Sequence, residues 1–465
     1  MNFVVDAQTR TVCLEQIKAA FVNFGERKLV IWGTREKGAF IKELLEESGY
    51  SCSFFVSSRP KTDTCCGLPL HTPEVLDVSR HYVFLATEAS EVKEYLKEHG
   101  FVAQGERDCL QIGCAYYSCQ FMENVHFMFE GWLGDVRKRI RFCCASVPNR
   151  PEVNWSTIDT SSEILWRFFA YRDHWVEESK QFNSCQPEEG RSLTAPCVGC
   201  SSYQKKNWLS DRRIHTTNLS MYPSPCQSKC FYCDLHSNGQ TRWIETAEIR
   251  ESYEKIFDLL ERAKNDGAFQ KGANWEIATG EIAIHPYREK ILNLMGQDNA
   301  RFYTNGMKYD NQIAKKLSEN PRSEIVVSID SGTSETWYKI KGVDNFEIVK
   351  ENLLKYQKMC IDLEQIAIKY IVFPGINDSD ADFLGAIDLL KQLKITRLEV
   401  SCDARPEHRD EKFRQDVIRS GARLLALCSK NGIHPIIDDI VWLFTPEEYE
   451  KINQDAKAFL AEGAI

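Results

Sequence analysis

Residues 221–237, MYPSPCQSKCFYCDLHS, place cysteines at 226, 230 and 233. Thiols bunched this closely differ from the paired cysteines of a zinc finger and from the dispersed cysteines of a disulfide scaffold. Thiolate is the expected ligand of iron–sulfur clusters. Three thiolates can each bind one iron of a four-iron, four-sulfur cubane and leave the fourth iron without a protein ligand. Such an open iron is a place for a small molecule to chelate, as an open position is on catalytic zinc. Taken alone, the triplet also admits a zinc site or redox-inert thiols.

The surrounding chain sets the conditions for that chemistry. Its 465 residues suffice for two or three domains, and 43% hydrophobic with 27% charged residues is a soluble globular profile. No apolar run approaches the roughly 20 residues that span a bilayer. The first residues, MNFVVDAQTRTVCLEQ, lack the sections of a secretory signal. A cytoplasmic protein is expected, in which disulfides are rare and clustered members of the 18 cysteines point to metal or redox work. The net charge of -9 gives no general reason to expect nucleic-acid binding, and no membrane partner is expected.

The elements that must position the triplet form a regular β/α pattern from about residue 212 onward. Strands are expected at 214–220, 275–280, 300–305, 325–330, 366–373 and 397–402, with a possible seventh at 433–438. Amphipathic stretches such as ETAEIRESYEKIFDLLERAKNDG lie between most of them. This predicts a full or partial (β/α) barrel, with chemistry collected where strands end and βα loops begin. The triplet falls directly after the first of these strands. At the N-terminus, KLVIWG (28–33), TREKGAFIKELLEESG, CSFFVSS (52–58) and HYVFLAT (81–87), with a linking helix near 73–78, predict a small Rossmann-like parallel sheet. Its Gly33-to-Gly38 turn has only two glycines and favours docking or substrate recognition over tight nucleotide binding. The expected domains are 1–118, 119–208 and 209–465.

The C-x3-C-x2-C spacing, with Tyr232 just before the last cysteine, resembles the signature of the radical S-adenosylmethionine (radical SAM) superfamily. Four later stretches resemble that family in the same order. WEIATGEIAIHP (275–286) resembles its Gly-Gly-Glu element, with Thr279 in place of the first glycine. RFYTNG (301–306), which contains Asn305, matches its third-strand ending. VVSIDSGTSETWYKIKG (326–342) resembles its fourth strand and helix, and KYIVFPGINDS (369–379), containing Val372, its fifth strand and the turn near the adenine.

The resemblance implies a four-iron, four-sulfur cluster on Cys226, Cys230 and Cys233 whose open iron is chelated by the amino and carboxylate groups of S-adenosylmethionine. It implies cofactor contacts from Tyr232, Gly280, Glu281, Asn305, Ser328, Asp330 and Val372, with Ser328 and Asp330 at positions that often reach ribose or carboxylate. Glu281 would accept from the methionine ammonium, and Gly280 would let backbone approach the ligand closely. An electron from the cluster, supplied by a donor such as flavodoxin or ferredoxin, would cleave the sulfonium to a 5'-deoxyadenosyl radical that abstracts hydrogen from the substrate.

Several polar residues near strand ends could face that substrate: Tyr303, Lys369, Glu399, Cys402, Asp403 and Arg405. Cys402 is a candidate catalytic hydrogen-atom donor to a product radical, although burial as a small hydrophobe is the usual fate of a free cysteine. His285, before Pro286, reads as structural.

A second thiol group lies upstream: RFCC at 141–144, an amphipathic stretch, and CVGC at 197–200. This order resembles the cluster-binding part of SPASM and twitch domains, in a permuted position before the barrel. It implies an auxiliary cluster on Cys143, Cys197, Cys200 and Cys185, with Cys119 and Cys114 as other candidates. Adjacent strand residues face opposite ways, so one of Cys143 and Cys144 would ligate. A structural zinc site and metal-free buried thiols remain the competing readings.

The leading expectation is therefore a radical SAM oxidoreductase or maturase acting on a sugar- or nucleotide-linked small molecule, by oxidation, dehydrogenation or rearrangement. The N-terminal segment resembles small domains attached to enzymes of sugar and cell-surface glycan biosynthesis. A maturase of a ribosomally made peptide is the alternative, although no winged-helix peptide-recognition module is evident at either end. A metal-binding scaffold without turnover is a reading of a different class. A nucleic-acid modifier is disfavoured by the acidic balance and the lack of a basic patch interleaved with aromatics.

Overall fold

The computed structural model describes residues 7–87, 90–103, 107–134, 138–143, 150–182, 193–194, 197–198, 200, 202–233, 236, 238–239, 241–278, 280–395, 397–403, 410–437 and 445–462. The chain divides into two compact units. One is Met1–Val125 with Phe169–Arg213, and the other is His126–Phe168 with Ile214–Ile465.

The first unit is built on a six-stranded sheet. Its strands are β1 (Lys28–Trp32), β2 (Cys52–Val56), β3 (Thr64–Cys65), β4 (Leu68–His71), β5 (His81–Leu85) and β6 (Cys109–Leu110), in the order β3-β4-β2-β1-β5-β6. β1 pairs parallel with β2 and β5, and β2–β4 and β5–β6 are parallel too. The run KLVIW is buried over its last four residues, as a central strand of a covered parallel sheet requires. The expected helix forms over Glu36–Glu47 and buries Phe40, Ile41, Leu44 and Leu45. A Cβ on Gly38 would overlap the Gly33 carbonyl oxygen, so this glycine is needed for close packing of helix against strand end. In place of the helix expected near 73–78 there is one 3-10 turn, Pro73–Val75, preceded by the pair β3–β4. Those two strands are too short to show an alternating pattern in sequence. Also in this unit, β7 (Cys114–Ser118) pairs antiparallel with β11 (Gln204–Trp208).

The second unit holds a ten-stranded sheet in the order β10-β9-β8-β12-β13-β14-β15-β16-β17-β18. All seven strands expected downstream of 212 form: β12 (Ile214–Tyr222), β13 (Phe269–Ile277), β14 (Asn299–Thr304), β15 (Glu324–Ser328), β16 (Ile366–Val372), β17 (Arg397–Cys402) and β18 (His434–Ile437). Each pairs parallel with the next, which makes the partial (β/α) barrel. The upstream stretch extends it: β8 (His126–Trp132) adds parallel to β12, and β9 (Lys138–Arg141) and β10 (Glu152–Trp155) follow antiparallel.

Helices between the strands start where side chains cap them. Thr246 accepts from Ile249 N, Asp310 from Gln312 N and Ile313 N, Thr333 from Thr336 N, and Ser379 from Asp382 N. Each such cap is worth about 1 kcal/mol. Helix Ala247–Asn265 buries Ile249, Tyr253, Ile256, Leu260 and Ala263, the three-and-four spacing of one helical face. Within the sheet, residues facing the helices are buried aliphatics and aromatics. The alternate positions include half-buried polar residues such as Asn218, Ser220, Glu276, Arg301 and Lys369. Among the described residues, no helix is long and apolar enough to cross a membrane.

Candidate active site at the carboxyl ends of the strands

The loop after β12 carries Cys226, Cys230 and Cys233, each half-buried and none in a disulfide. Two groups of contacts pin this loop. The first comes from the turn after β13. Glu281 N donates to Pro225 O at 2.8 Å. A Cβ on Gly280 would stand 2.6 Å from both Pro225 O and Ser224 Oγ, and Gly280 has a φ of +45. Only glycine meets both demands without strain. Gly280→Ala is therefore expected to cost about 1–3 kcal/mol, read as a lower urea midpoint at constant slope. An unchanged midpoint would contradict this packing.

Glu281 is fully buried. Its carboxylate accepts from Ala283 N at 3.0 Å, from the Thr304 hydroxyl at 2.9 Å and from Asn305 N at 2.8 Å. Burial raises its pKa against the opposing pull of those donors. Asn305 in turn donates from Nδ2 to Cys226 Sγ at 3.6 Å. A chain of contacts thus links Glu281, Asn305 and Cys226, three residues singled out from sequence.

The second group comes from β15 and the helix Ser334–Lys341. Lys229 N donates to Lys341 O at 2.8 Å and Phe231 N to Ile340 O at 3.1 Å. The Tyr232 hydroxyl donates to Asp330 Oδ2 at 2.9 Å. Lys341 Nζ donates to the Tyr232 oxygen at 3.0 Å and to Asp330 Oδ2 at 2.5 Å. Asp330 has a φ of +54. Its Oδ1 accepts from Ile371 N at 2.7 Å, and its carbonyl accepts from Asn377 Nδ2 at 2.8 Å. The sequence expected Asp330 to reach ribose or carboxylate; in the fold both of its oxygens are engaged by Tyr232, Lys341 and Ile371. Burial works to depress the Lys341 ammonium, but Asp330 and Cys230 outweigh it and hold the pKa above its ordinary value. Burial, then the charges of Asp330 and Cys230, push the Tyr232 phenol well up.

Sequence reasoning assigned no role to Lys341, Thr304 or Asn377. Lys341 precedes the helix-ending Gly342, where a lysine ordinarily reads as a solvated cation suited to the helix C-terminus. Only the tertiary contact with Asp330 reveals it.

The remaining candidates scatter around this centre. Ser328 ends β15 opposite Lys369, and Val372 ends β16 opposite Cys402. Val372, Cys402 and Asp403 are buried. Glu399 accepts from Arg301 at 2.8 Å and from Arg397 at 2.8 Å, and so belongs to an ion-pair network inside the barrel. His285 meets the Tyr253 hydroxyl at 3.2 Å and accepts from Tyr287 N at 3.2 Å. Burial pushes its pKa down to about 4. Cys143 follows β9 in the second unit, whereas Cys197 and Cys200 lie in the first, where Cys200 N donates to Cys197 O at 3.0 Å. Cys144, Cys185, Thr279 and Arg405 lie outside the described residues.

The triplet's surroundings fit a metal cluster. Burial, reinforced by Glu281, pushes the Cys226 thiol up to about 11, so a bound cation is needed to hold it as thiolate at neutral pH. Ser224 Oγ and Gln227 Oε1, which flank Cys226, are buried without hydrogen-bond partners. Among the described residues, no three His, Cys, Asp or Glu side chains converge on a single metal-ion position. A cubane does not require convergence, since each thiolate takes a different iron.

A partial parallel barrel carries the thiol triplet in its first βα loop, and a family match over this region agrees with that arrangement. Residues 224–387 match the Radical SAM superfamily, and the chain carries a radical SAM domain. Enzymes of this superfamily use a four-iron, four-sulfur cluster and S-adenosylmethionine. A GTP 3',8-cyclase of Microcystis aeruginosa is 24% identical over 181 residues, 37% of this chain and 53% of that protein. The chain thus spans about half the length of this relative. Among solved structures, SuiB of Streptococcus suis bound to S-adenosylmethionine aligns with a TM-score of 0.36 at 13% identity, covering 62% of this chain and 66% of that one. A radical SAM methyltransferase from Sphaerobacter thermophilus aligns with a TM-score of 0.33 at 15% identity, covering 46% and 63%.

Proposed function

We propose that Cys226, Cys230 and Cys233 hold the cluster and that the enzyme oxidises, dehydrogenates or rearranges a sugar- or nucleotide-linked small molecule. The cluster, when bound and reduced by a donor such as flavodoxin or ferredoxin, supplies the electron that cleaves S-adenosylmethionine to a 5'-deoxyadenosyl radical. The observation that carries this reading is the thiol loop held from two sides at the carboxyl ends of the strands. Gly280 and Glu281 brace Cys226 through Pro225 and Asn305, and Lys341 braces the Cys230 segment through Lys229. Gly280, which has no Cβ to meet Pro225 O and Ser224 Oγ, lets the turn after β13 close onto the thiol loop.

The substrate class rests on the inner face of the barrel. Asn218, Ser220, Glu276 and Lys369 alternate with the helix-facing apolar residues, and a hydrophilic substrate suits such a lining. An auxiliary metal centre that uses the Cys197–Cys200 turn is a further part of the reading.

Reconstituted, reduced protein with S-adenosylmethionine should be challenged in parallel with UDP-sugars and with peptides, and 5'-deoxyadenosine counted. The reading expects release stimulated at least tenfold by a UDP-sugar. Stimulation by peptide alone would move the assignment to a peptide maturase.

A further inference from the structure

The first unit holds a cavity of about 620 Å³ at the carboxyl ends of β5 and β6. Leu85 ends β5 and Leu110 ends β6, and the two strands run parallel at one edge of the six-stranded sheet. Open α/β sheets take ligands in crevices outside the carboxyl ends of their strands. The volume is that of a small-molecule pocket, which runs from about 300 to 1,000 Å³. Its floor is apolar, since Leu85, Leu96, Phe101, Cys109 and Leu110 line it and all are buried. The first four belong to one hydrophobic cluster with Val83 and Val92, so the cavity borders a packed core. Packed interiors leave few voids larger than a water, and a space of this size against a core suits an occupant.

The rim is cationic. Lys93 and Lys97 line the same cavity from helix Ser90–Glu98, one turn apart, and both are exposed. Neither forms an ion pair with a described residue, and among the described residues no carboxylate side chain lines the cavity. Lys97 in the last turn suits the helix C-terminus, but Lys93, near the start, has no such reason to be a cation. Like charges at this spacing repel, and an anion held between them removes that cost. Uncharged polar groups are few: the amides of Gln111 and Asn207, of which Asn207 Nδ2 already donates to the Gln111 carbonyl. A sugar or nucleotide would bring more hydroxyls than this lining can satisfy, whereas an aliphatic chain gains by leaving water. We propose that the cavity binds a small molecule with an aliphatic chain and one anionic end, a carboxylate or a phosphate. Its chain lies against Leu85, Leu96 and Phe101, and its charge between Lys93 and Lys97. The site is wholly within the first unit and does not depend on what the thiol loop holds.

The test is titration calorimetry on the full chain with decyl phosphate, decanoate, decanol and inorganic phosphate, each below its micelle concentration, for wild type and Lys93→Glu/Lys97→Glu. One decyl phosphate or one decanoate per chain is expected to bind saturably, and the tighter of the two identifies the anionic end. Decanol is expected to bind wild type at least about tenfold more weakly than that anion, and the double variant to weaken the anion by about tenfold or more. Decanol affinity should stay within about twofold in the variant, which shows that the apolar floor is intact, since both lysines are exposed and outside the core. Absence of saturable binding by both chain anions overturns the proposal, as does an unchanged affinity in the double variant. Inorganic phosphate binding as tightly as decyl phosphate overturns it too, because the chain would then contribute nothing.

Discussion

Asp330→Ala is expected to destabilise the barrel unit by about 3–5 kcal/mol, the cost of leaving one member of a buried ion pair without its partner. The removed carboxylate neutralises Lys341, accepts from Tyr232 and accepts from Ile371 N, and among the described residues the Lys341 ammonium has no other hydrogen-bond acceptor except the phenol oxygen. The left-handed backbone at Asp330 adds to the effect in one direction only, since alanine at a φ of +54 keeps the strain and loses the interactions that repaid it. Urea unfolding should show the loss as a lower midpoint with unchanged slope. Asp330→Asn, which keeps an acceptor for Ile371 N but not the charge, should fall between. An unfolding free energy within about 0.5 kcal/mol of wild type for Asp330→Ala would show that Asp330 does not bear this contact network.

The same residue shows how far the sequence could be read. A carboxylate at a strand end is visible as a candidate ligand contact, and its position after β15 was legible. Its partners were not, because Lys341 returns to it only through a helix, and a lysine near a helix C-terminus is usually solvated. Strands β12 to β18 were legible because each is a short stretch with apolar residues at alternate or successive positions, most of them separated from the next by a helical period. The triplet loop, the Gly280–Glu281 turn and Asn305 were legible for a different reason, since their residue types answer to backbone approach and ligand chemistry.

The upstream strands were harder. KRIR in β9 looks like a solvated basic run, yet Lys138 is buried and Arg141 bonds Glu130 at 2.6 Å and Glu152 at 3.3 Å across the neighbouring strands. Pairing of charges between strands leaves no periodic trace along one of them. Glu399 is a similar case. A strand-end carboxylate suggested substrate contact, and the fold gives it to Arg301 and Arg397.

The other large effect concerns the triplet itself. Replacing Cys226, Cys230 and Cys233 together by alanine is expected to remove about four irons per chain and all reductant-dependent 5'-deoxyadenosine, while the apo fold survives. The loop's backbone bonds, from Lys229 N to Lys341 O and from Glu281 N to Pro225 O, do not involve the thiols. If Cys197 and Cys200 serve a second cluster, iron should fall from about eight to about four; if they do not, from about four to none. Either fall supports the triplet as the site of the radical-generating cluster. The most direct measurement is therefore iron, sulfide and 5'-deoxyadenosine on anaerobically reconstituted wild type beside this triple variant. The account predicts a loss of about four irons together with complete loss of 5'-deoxyadenosine. Equal iron in the two proteins, or 5'-deoxyadenosine still formed by the variant, would contradict it.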